Sequence, residues 1–406
     1  MSLFSPYRAV LRAPHVRAAF ATSLAGRLCY GIVFLSLTLT LTAGGRDYGL
    51  AGLVMALMGL AVVLVSPFRA WLVDRHGPRR ALPPMAAGFA AALVAIAMIP
   101  PRSGAGDAAI AALAVGAGAC APPLGPVTRT LLSSLIDDRD LLQTAYSLDG
   151  VVEELLYVVG PLVAGVIMVV SVPAVGLLVA AGLVVAGTGL FARSPALGRW
   201  PAPLATPAAS PALEQPRTGR AILELALVTG AIGLCLGGLP LVLVAFTQAR
   251  HDPAALAWIE AALSAGSALG GLGYGAVNWR ISARRRLVLL ATGLAAILAP
   301  AALSPSLPVL AALIGLAGAL VSPALATAYL LASGLASPTA PTQAGNWVNN
   351  GYNAGISAGE VLSGQMVGRI PLGACLPILA VPALLAIVPL LPAIVRLLRT
   401  RLTPPS

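Results

Sequence analysis

The chain has 406 residues, of which 58% are hydrophobic and 10% charged, with a mean hydropathy of +0.90 and a formal net charge of +11. Soluble domains carry about a quarter of their residues as charged side chains, so this composition excludes an ordinary soluble globular protein. The basic residues are all arginines, in short clusters between apolar segments, which argues against nucleic-acid binding.

Cysteine and histidine usage gives no sign of a metal or redox site. The cysteines lie far apart inside apolar segments, none of them in a CxxC pair, and the histidines are scattered. Metal sites and disulfides require closer groupings, so we expect no metal site and no cofactor. The residues concerned are Cys29, Cys120, Cys235, Cys375, His15, His76 and His251.

Apolar segments of membrane-spanning length run almost from end to end. A helix needs about 20 mostly apolar residues to cross a bilayer, and cutting the chain at charges, prolines and glycine turns predicts twelve such helices. In the first half they are Ala18–Thr42, Tyr48–Val73, Ala81–Ile99, Ala108–Ile136, Thr144–Val169 and Val172–Phe191. In the second half they are Ala221–Phe246, Pro253–Val277, Leu287–Leu303, Leu307–Ala332, Gln343–Val367 and Leu372–Leu398. The expected fold is an all-α integral membrane protein whose first span is retained and is not a removed signal peptide.

The two halves resemble a repeat. AWLVDRHGPRR from Ala70 and GAVNWRISARRR from Gly275 each follow a helix rich in glycine and alanine and end in an arginine cluster, although Trp279 stands in place of Asp74. A proline- and alanine-rich linker separates them. The predicted organisation is a six-helix bundle over 1–192, a linker over 193–220 and a second six-helix bundle over 221–406, with a substrate site at the interface of the bundles.

Arginine placement predicts the orientation in the membrane. With a cytoplasmic N-terminus, the outside segments contain only Arg46, Arg102, Arg250 and Arg369, and this asymmetry satisfies the positive-inside rule. The inside arginines are Arg8, Arg12, Arg17, Arg75, Arg79, Arg80, Arg139, Arg193, Arg199, Arg217, Arg220, Arg280, Arg284, Arg285, Arg286, Arg396, Arg399 and Arg401. Both termini are therefore expected in the cytoplasm.

The segment between the second and third spans carries the most specific motif. It contains Asp-Arg, a glycine and a basic pair, at Asp74, Arg75, Gly77, Arg79 and Arg80. The pattern resembles the signature loop of the major facilitator superfamily, with Ala70 in place of the usual first glycine. The resemblance implies a gating loop that holds helix ends together, and Asp74 is expected to pair with arginines. The alternative is that these arginines only anchor the chain at the membrane surface.

Span five contains VVGPLVAG, in which Gly160, Pro161 and Gly165 resemble a helix-bend motif that the same superfamily associates with exporters. Ala164 replaces one of the usual glycines. Small residues allow helices to approach closely and proline bends them. Ordinary tight packing explains the pattern equally well.

Ionisable side chains inside spans are costly and mark candidate sites. Arg129 in span four should lie at the depth of Glu153 or Glu154 in span five, with Asp149 one turn away. Adjacent glutamates point about 100° apart on a helix, so at most one of them should share an ion pair with Arg129. We select Glu154 as the proton-linked group, while a structural salt bridge is the alternative reading of the pair.

Span eleven carries a polar and small-residue stripe at helical spacing. The stripe must meet water, substrate or another helix, because unsatisfied amides in hydrocarbon are costly. We expect it to line a cavity, with interhelical hydrogen bonding as the alternative. Its members are Asn346, Asn350, Asn353, Ser357, Glu360 and Gly364, of which Glu360 is a second proton-coupling candidate.

In span one, Arg27 is followed at helical spacing by Tyr30 and Phe34. This face would present a cation and two rings to an amphipathic or anionic substrate. Alternatively, Arg27 extends to the cytoplasmic interface.

The resemblance implies a monomeric secondary active transporter of the bacterial inner membrane, not an enzyme, working by alternating access. Its partners would be a small-molecule substrate, protons and the lipid bilayer. We expect export of small amphipathic or drug-like molecules by proton antiport. Proton symport of sugars or organic acids is the alternative, and a membrane-embedded transferase is a remote one, which the short loops disfavour. The chain has no GxxxxGK[ST] phosphate loop for ATP.

Overall fold

The structure is a computed structural model that describes residues 5–46, 48–99, 106–200, 216–252, 254–337 and 340–388. In chain order its helices are α1 Ser5–Arg12, α2 Val16–Ala43, α3 Tyr48–His76, α4 Pro78–Met98, α5 Gly106–Cys120, α6 Leu124–Leu135, α7 Arg139–Val170, α8 Pro173–Arg193, α9 Pro216–Ala249, α10 Ala255–Gly275, α11 Ala283–Ala301, α12 Leu307–Leu335, α13 Pro341–Met366 and α14 Leu372–Ala386. A short 3₁₀-helix, Pro195–Arg199, follows α8.

The helices form the expected twelve-span membrane architecture. Within the described ranges, nine spans are long and apolar enough to cross a bilayer, with α5 and α6 counting as one. Helices α11, α13 and α14 supply the remaining three spans. They are not among the nine because α11 and α13 carry charged or polar residues and α14 is short in the part of the chain described. Helix α1 precedes the first span. We refer to α1–α8 as the first half and to α9–α14 as the second half.

Several predicted segments fall wholly or partly outside the described residues. They are most of the linker, Arg102 and the tail arginines Arg396, Arg399 and Arg401. Helix α9 begins at Pro216, five residues before the predicted bundle boundary at 221. Helix α11 likewise begins at Ala283, so its first turn contains three arginines that the sequence had placed in a loop.

The alternation of the spans brings most of the clustered arginines to one side, which we call the arginine-rich face. It is marked by the end of α3, the start of α4, the end of α8 and the start of α11. These segments carry Arg75, Arg79, Arg80, Arg193, Arg284 and Arg285.

The fourth span is interrupted, although the sequence analysis predicted one continuous helix over Ala108–Ile136. Helix α5 ends at Cys120 and α6 begins at Leu124. The intervening Pro122 and Pro123 have no backbone N–H and cannot continue the hydrogen bonding of α5. The break leaves main-chain carbonyls at the centre of the protein.

Glycines set the helix spacing within each half. A Cβ on Gly355 of α13 would collide with the backbone of Gly230 in α9, and a Cβ on Gly270 of α10 would collide with that of Ala319 in α12. In the first half, Gly160 of α7 crosses Gly31 of α2 with the same closeness. Since hydrocarbon tails are as apolar as leucine, such close packing is a principal source of helix association in a membrane.

The two halves contact each other at the arginine-rich face. Gln143 Nε2 and Thr144 Oγ1, at the start of α7, donate to the carbonyls of Tyr274 and Gly275 at the end of α10, at 3.3 and 2.7 Å. Tyr7 of α1 donates to the carbonyl of Leu272 at 2.5 Å. Burial raises the pKa of Tyr7 to about 12. These bonds close the arginine-rich face.

Candidate functional site

A central cavity of about 330 Å³ lies between the two halves. It is lined by residues of α2, α3, α4, α6, α7, α12 and α13 and by the break between α5 and α6. Phe34 is 64% exposed and Tyr157 is 59% exposed, whereas Arg27, two turns closer to the arginine-rich face, is 4% exposed. The cavity therefore opens toward the opposite face and is closed at its arginine-rich end.

A cluster of four charges forms the closed end of the cavity. Arg27 Nη1 lies 2.5 Å from Asp149 Oδ1, and Arg129 Nε lies 2.7 Å from Asp149 Oδ2. Both arginines also pair with Glu153, Arg27 at 3.2 Å and Arg129 at closer range. Two cations and two anions balance, which offsets the cost of burying Arg27, Arg129 and Asp149, while Glu153 is partly exposed. The cluster joins α2, α6 and α7 within the first half.

Glu154 stands apart from this cluster. The structure brings Arg129 together with Glu153 and Asp149, whereas Glu154 accepts a hydrogen bond from Ser267 Oγ of α10 at 2.9 Å. Adjacent residues point about 100° apart on a helix, and accordingly only Glu153 of the two glutamates pairs with Arg129. Glu154 thus faces the second half and lines the cavity without an arginine partner among the described residues.

Arg129 also connects the cluster to the second half. Its guanidinium carbon lies 3.9 Å from the ring centroid of Tyr329 in α12, a cation–π arrangement. Tyr146 of α7 donates to the Arg129 carbonyl at 3.2 Å and packs edge-on to Tyr329. The charged cluster and the interface between the halves are therefore in direct contact.

The face of α2 predicted to meet substrate lines the cavity, but its cation is already engaged. Arg27 does not extend to the membrane surface, because Asp149 and Glu153 hold it in the interior. Tyr30 donates to the Pro122 carbonyl at 2.6 Å and packs edge-on to Phe89. Phe34 lines the cavity and is largely free to contact a ligand.

The polar stripe of α13 divides into three parts. Asn346 accepts from Ser66 Oγ of α3 at 2.7 Å, and Asn350 donates to the Val63 carbonyl at 3.4 Å, so both bond across the halves. Asn346 and Asn353 also line the cavity. Ser357 and Glu360 are exposed and lie outside the cavity lining. Cavity lining and interhelical bonding therefore coexist on one stripe, and its last two turns take no part in the cavity.

Arg69 is a cavity residue that the sequence analysis missed. It is 4% exposed, and it donates from Nη1 to the Ala121 carbonyl and from Nη2 to the Val62 carbonyl, the latter at 2.5 Å. Its Nε has no hydrogen-bond partner among the described residues. Arg69 thus donates a hydrogen bond at the end of α5, where the carbonyls lack helical partners. Asn349, Tyr157 and Tyr352 are further lining residues that were not predicted.

The predicted gating loop connects the halves at the arginine-rich face. Asp74 Oδ1 accepts from the backbone N–H of Thr342, in the first turn of α13, at 3.1 Å. The expectation that Asp74 pairs with arginines is therefore wrong, because a free N–H at a helix N-terminus serves as its partner. Gly77 has a φ of 77°, a conformation that favours glycine at the turn between α3 and α4.

The loop arginines have separate surroundings. Arg79 donates to the Ser194 carbonyl at 3.4 Å, which ties the start of α4 to the end of α8. Arg75 lies over the Trp71 ring at 5.6 Å, and Arg80 is exposed. Their contacts stay within the first half, so Asp74 is the loop residue that reaches across to the second.

The helix-bend motif is only partly accounted for by packing. Gly160 is required by its close approach to Gly31, and Pro161 lies within the continuous helix α7. A Cβ on Gly165 would meet nothing within 4 Å. Gly160 is thus the position of the motif where helix packing requires glycine.

Among the described residues, no group of three or more His, Cys, Asp or Glu side chains is placed to hold a metal ion. The polar chemistry of the central cavity comes from arginines, carboxylates, amides and tyrosines. Aromatic rings and aliphatic side chains provide its apolar surface.

The sequence and the fold both resemble known transporters. A profile of the Major Facilitator Superfamily matches residues 18–250, more than half of the chain. Comparison with curated protein sequences finds no match.

Several solved structures share the fold. The human organic anion transporter MFSD10 (TETRAN) is 18% identical, with a TM-score of 0.68, over 93% of this chain and 99% of that one. A bacterial homologue of the iron transporter ferroportin, in its outward-facing state, is 14% identical, with a TM-score of 0.72, over 92% and 98% of the respective chains. The same homologue with soaked iron is 13% identical, with a TM-score of 0.70, over 92% and 96%.

Proposed function

Because the chain belongs to the major facilitator superfamily of membrane transporters, we propose that it exports small amphipathic molecules by proton antiport through alternating access. The observation that carries this proposal is the position of Glu154 in the wall of the central cavity, bonded across the halves to Ser267. We further propose a bacterial inner-membrane protein, active as a monomer, with both termini in the cytoplasm. In that orientation the structure is outward-open.

The cavity surface favours an amphipathic substrate. Phe34, Tyr157, Tyr329 and Tyr352 contribute rings to it, while the charged groups gather at its closed end. A cavity lined mostly by apolar and aromatic groups, with few polar ones, is typical of small-molecule sites. A ligand with one polar end and an apolar body would match both regions.

The partners of Asp149, Glu153 and Glu154 support the proposal of proton coupling. Asp149 and Glu153 each pair with two arginines. Glu154 has a neutral hydroxyl as its partner, and a hydrogen bond to an ionised carboxylate is stronger than one to a neutral acid. Protonation of Glu154 would thus weaken a bond between the halves and favour opening of the arginine-rich face. A proton taken up from outside would then be released inside, as antiport requires.

The test is proton movement in proteoliposomes under an imposed pH gradient, with a panel of amphipathic compounds. The parent should couple a compound to counter-flow of protons, and Glu154→Gln should lose that coupling. Glu260→Gln is a matched control, since Glu260 is exposed and outside the central cavity lining. Loss of coupling in Glu360→Gln with normal coupling in Glu154→Gln would assign the proton to Glu360 and refute the role of Glu154.

A second candidate function is proton symport of organic acids, which Arg69 favours. Its charge lies in the cavity wall with main-chain carbonyls as partners, so an acid group of a substrate could pair with it. The structural neighbour described as an organic anion transporter is consistent with this candidate. If anionic members of the panel move together with protons, symport is supported over antiport.

A further inference from the structure

A second cavity lies at the arginine-rich face, on the seam between the two halves. We call it the seam cavity. It has a volume of about 380 Å³ and is formed by α7 of the first half and by α9, α11 and α12 of the second. It shares no lining residue with the central cavity. Its charged lining residues are Arg139, Asp140, Arg284 and Arg286.

Arg286 brings an unsatisfied donor to this cavity. The side chain is only 7% exposed, its Nη1 donates across the seam to Gln143 Oε1, and its Nε has no hydrogen-bond partner among the described residues. The guanidinium also lies 5.4 Å from the ring centroid of Tyr274. A buried guanidinium with an incomplete set of acceptors is costly, and an anion in the cavity would offset its charge.

Positive charge converges on the cavity from both halves. Arg139 reaches across the seam to α12, since a Cβ on Gly334 would lie 4.0 Å from its Nη2. Arg284 Nη2 lies 2.6 Å from Glu224 Oε2. Three arginines against the carboxylates of Asp140 and Glu224 leave a net positive charge. The first turns of α7 and α11 border the same space, although the side chains of Asp138 and Ser282 already cap their N–H groups.

The remaining lining is rich in leucine. Arginines beside leucines at a membrane surface suit the head group of an anionic phospholipid, whose phosphate meets the cations while its glycerol and acyl portions meet the apolar wall. Planar guanidinium groups match phosphate oxygens in pairs. The leucines are Leu225, Leu330, Leu331 and Leu335.

We propose that the seam cavity binds a phosphoryl group, and that this group stabilises the state in which the arginine-rich face is closed. Arg139 belongs to the first half, whereas Arg284 and Arg286 belong to the second. An anion can therefore contact all three only while the halves are together at this face. A ligand that binds one conformation better shifts the population toward it. The inference does not depend on the transported substrate or on proton coupling.

The test uses the full-length protein in nanodiscs, with backbone hydrogen exchange in the first two turns of α13 as the readout of closure. That segment carries the Asp74 contact and lies outside the seam cavity lining. One arm adds increasing fractions of phosphatidylglycerol to a zwitterionic lipid. The other arm keeps the zwitterionic lipid and adds inorganic phosphate. Protection of the α13 amides should rise in at least one arm, and the responding arm identifies the source of the phosphoryl group.

The variants separate a specific site from general surface charge. Arg286→Gln should raise the half-saturating concentration about tenfold, the loss expected for one charge-assisted hydrogen bond. Arg139→Gln, at an exposed position, repeats the test without altering buried packing. Arg193→Gln makes the same charge change at the same face outside the cavity and should respond like the parent. No response of the parent in either arm, or an equal loss in Arg193→Gln, would overturn the proposal.

Discussion

Asp74 on α3 accepts a hydrogen bond from the backbone N–H of Thr342, 268 residues away in the first turn of α13. A side chain of one half thereby caps a helix of the other. This contact joins the halves at the closed arginine-rich face, so its strength would enter the equilibrium between the two open states that the proposed alternating access requires.

Removing this cap should favour opening of the arginine-rich face. Loss of a helix cap costs about 0.5–2 kcal/mol, so we expect Asp74→Ala to raise the open population by a factor of roughly 2 to 30. Asp74→Asn keeps an acceptor oxygen, so its open population should lie between those of Asp74→Ala and the parent. Hydrogen exchange of the amides at the start of α13 measures the change. Arg80→Gln, a charge change at an exposed residue of the same loop, is the control. If hydrogen exchange in Asp74→Ala matches both the parent and this control, the contact does not hold the face closed.

Asp149 should be the most sensitive acidic residue for stability. Both of its oxygens bond to arginines and its side chain is fully buried. Asp149→Asn leaves two buried guanidinium groups facing one remaining carboxylate, and breaking a buried pair costs about 3–5 kcal/mol. We expect a marked fall in the thermal unfolding midpoint in detergent. Glu154→Gln, which disturbs one neutral partner, should change it little, and comparable falls in both variants would contradict the assignment.

Close packing of α9 on α13 predicts a large effect from a small substitution. Gly355→Ala places a methyl group against the Gly230 backbone, and overpacking of this kind costs about 1–3 kcal/mol. Gly165→Ala has open space around it and should be neutral or slightly stabilising, since alanine favours a helix over glycine. Thermal unfolding of the two variants in the same detergent makes the comparison. A loss of stability in Gly165→Ala as large as in Gly355→Ala would contradict this account.

Arg69 should distinguish substrates by charge. Arg69→Gln keeps a donor for the Ala121 carbonyl but removes the cation from the cavity wall. Binding of anionic amphiphiles should weaken about tenfold, as expected for one charge-assisted contact, while neutral analogues of the same shape should bind as before. Calorimetry on matched acid and ester ligands checks this. Equal losses for acid and ester would indicate that Arg69 acts only on the helix break.

The membrane spans and the depth at which Arg129 meets the carboxylates of α7 could be predicted from the sequence, because both follow from regular spacing along a helix. Apolar length determines a span, and the depth of Arg129 follows from counting residues back from the turn before α7. The choice between Glu153 and Glu154 could not be made in this way. It depends on how α7 is rotated about its axis, and packing against α2 at Gly31 and Gly160 sets that rotation.

Ion pairs between residues far apart in the chain could not be predicted from the sequence either, because they depend on how the helices pack. Arg27 and Asp149 lie 122 residues apart, and only the packing of α2 on α7 brings them together. Arg69 lies inside the predicted second span, and its charge there was a signal that the sequence analysis did not use. Its partners could not be predicted, because the Ala121 carbonyl is free to accept only where the fourth span breaks. Two consecutive prolines at 122 and 123 were the available signal for that break, since neither can donate to a helical hydrogen bond.

The interruption of the fourth span also determines how the cavity can change in evolution. The acceptors at Ala121 and Pro122 belong to the main chain, so no substitution at those positions deletes them. New specificity at this wall must instead arise through the two side chains that now occupy the acceptors, Tyr30 and Arg69. Replacing either one would release a carbonyl for a ligand donor. A side-chain substitution at Ala121 would therefore leave its acceptor in place, whereas changes at positions 30 and 69 would reveal the importance of these carbonyls.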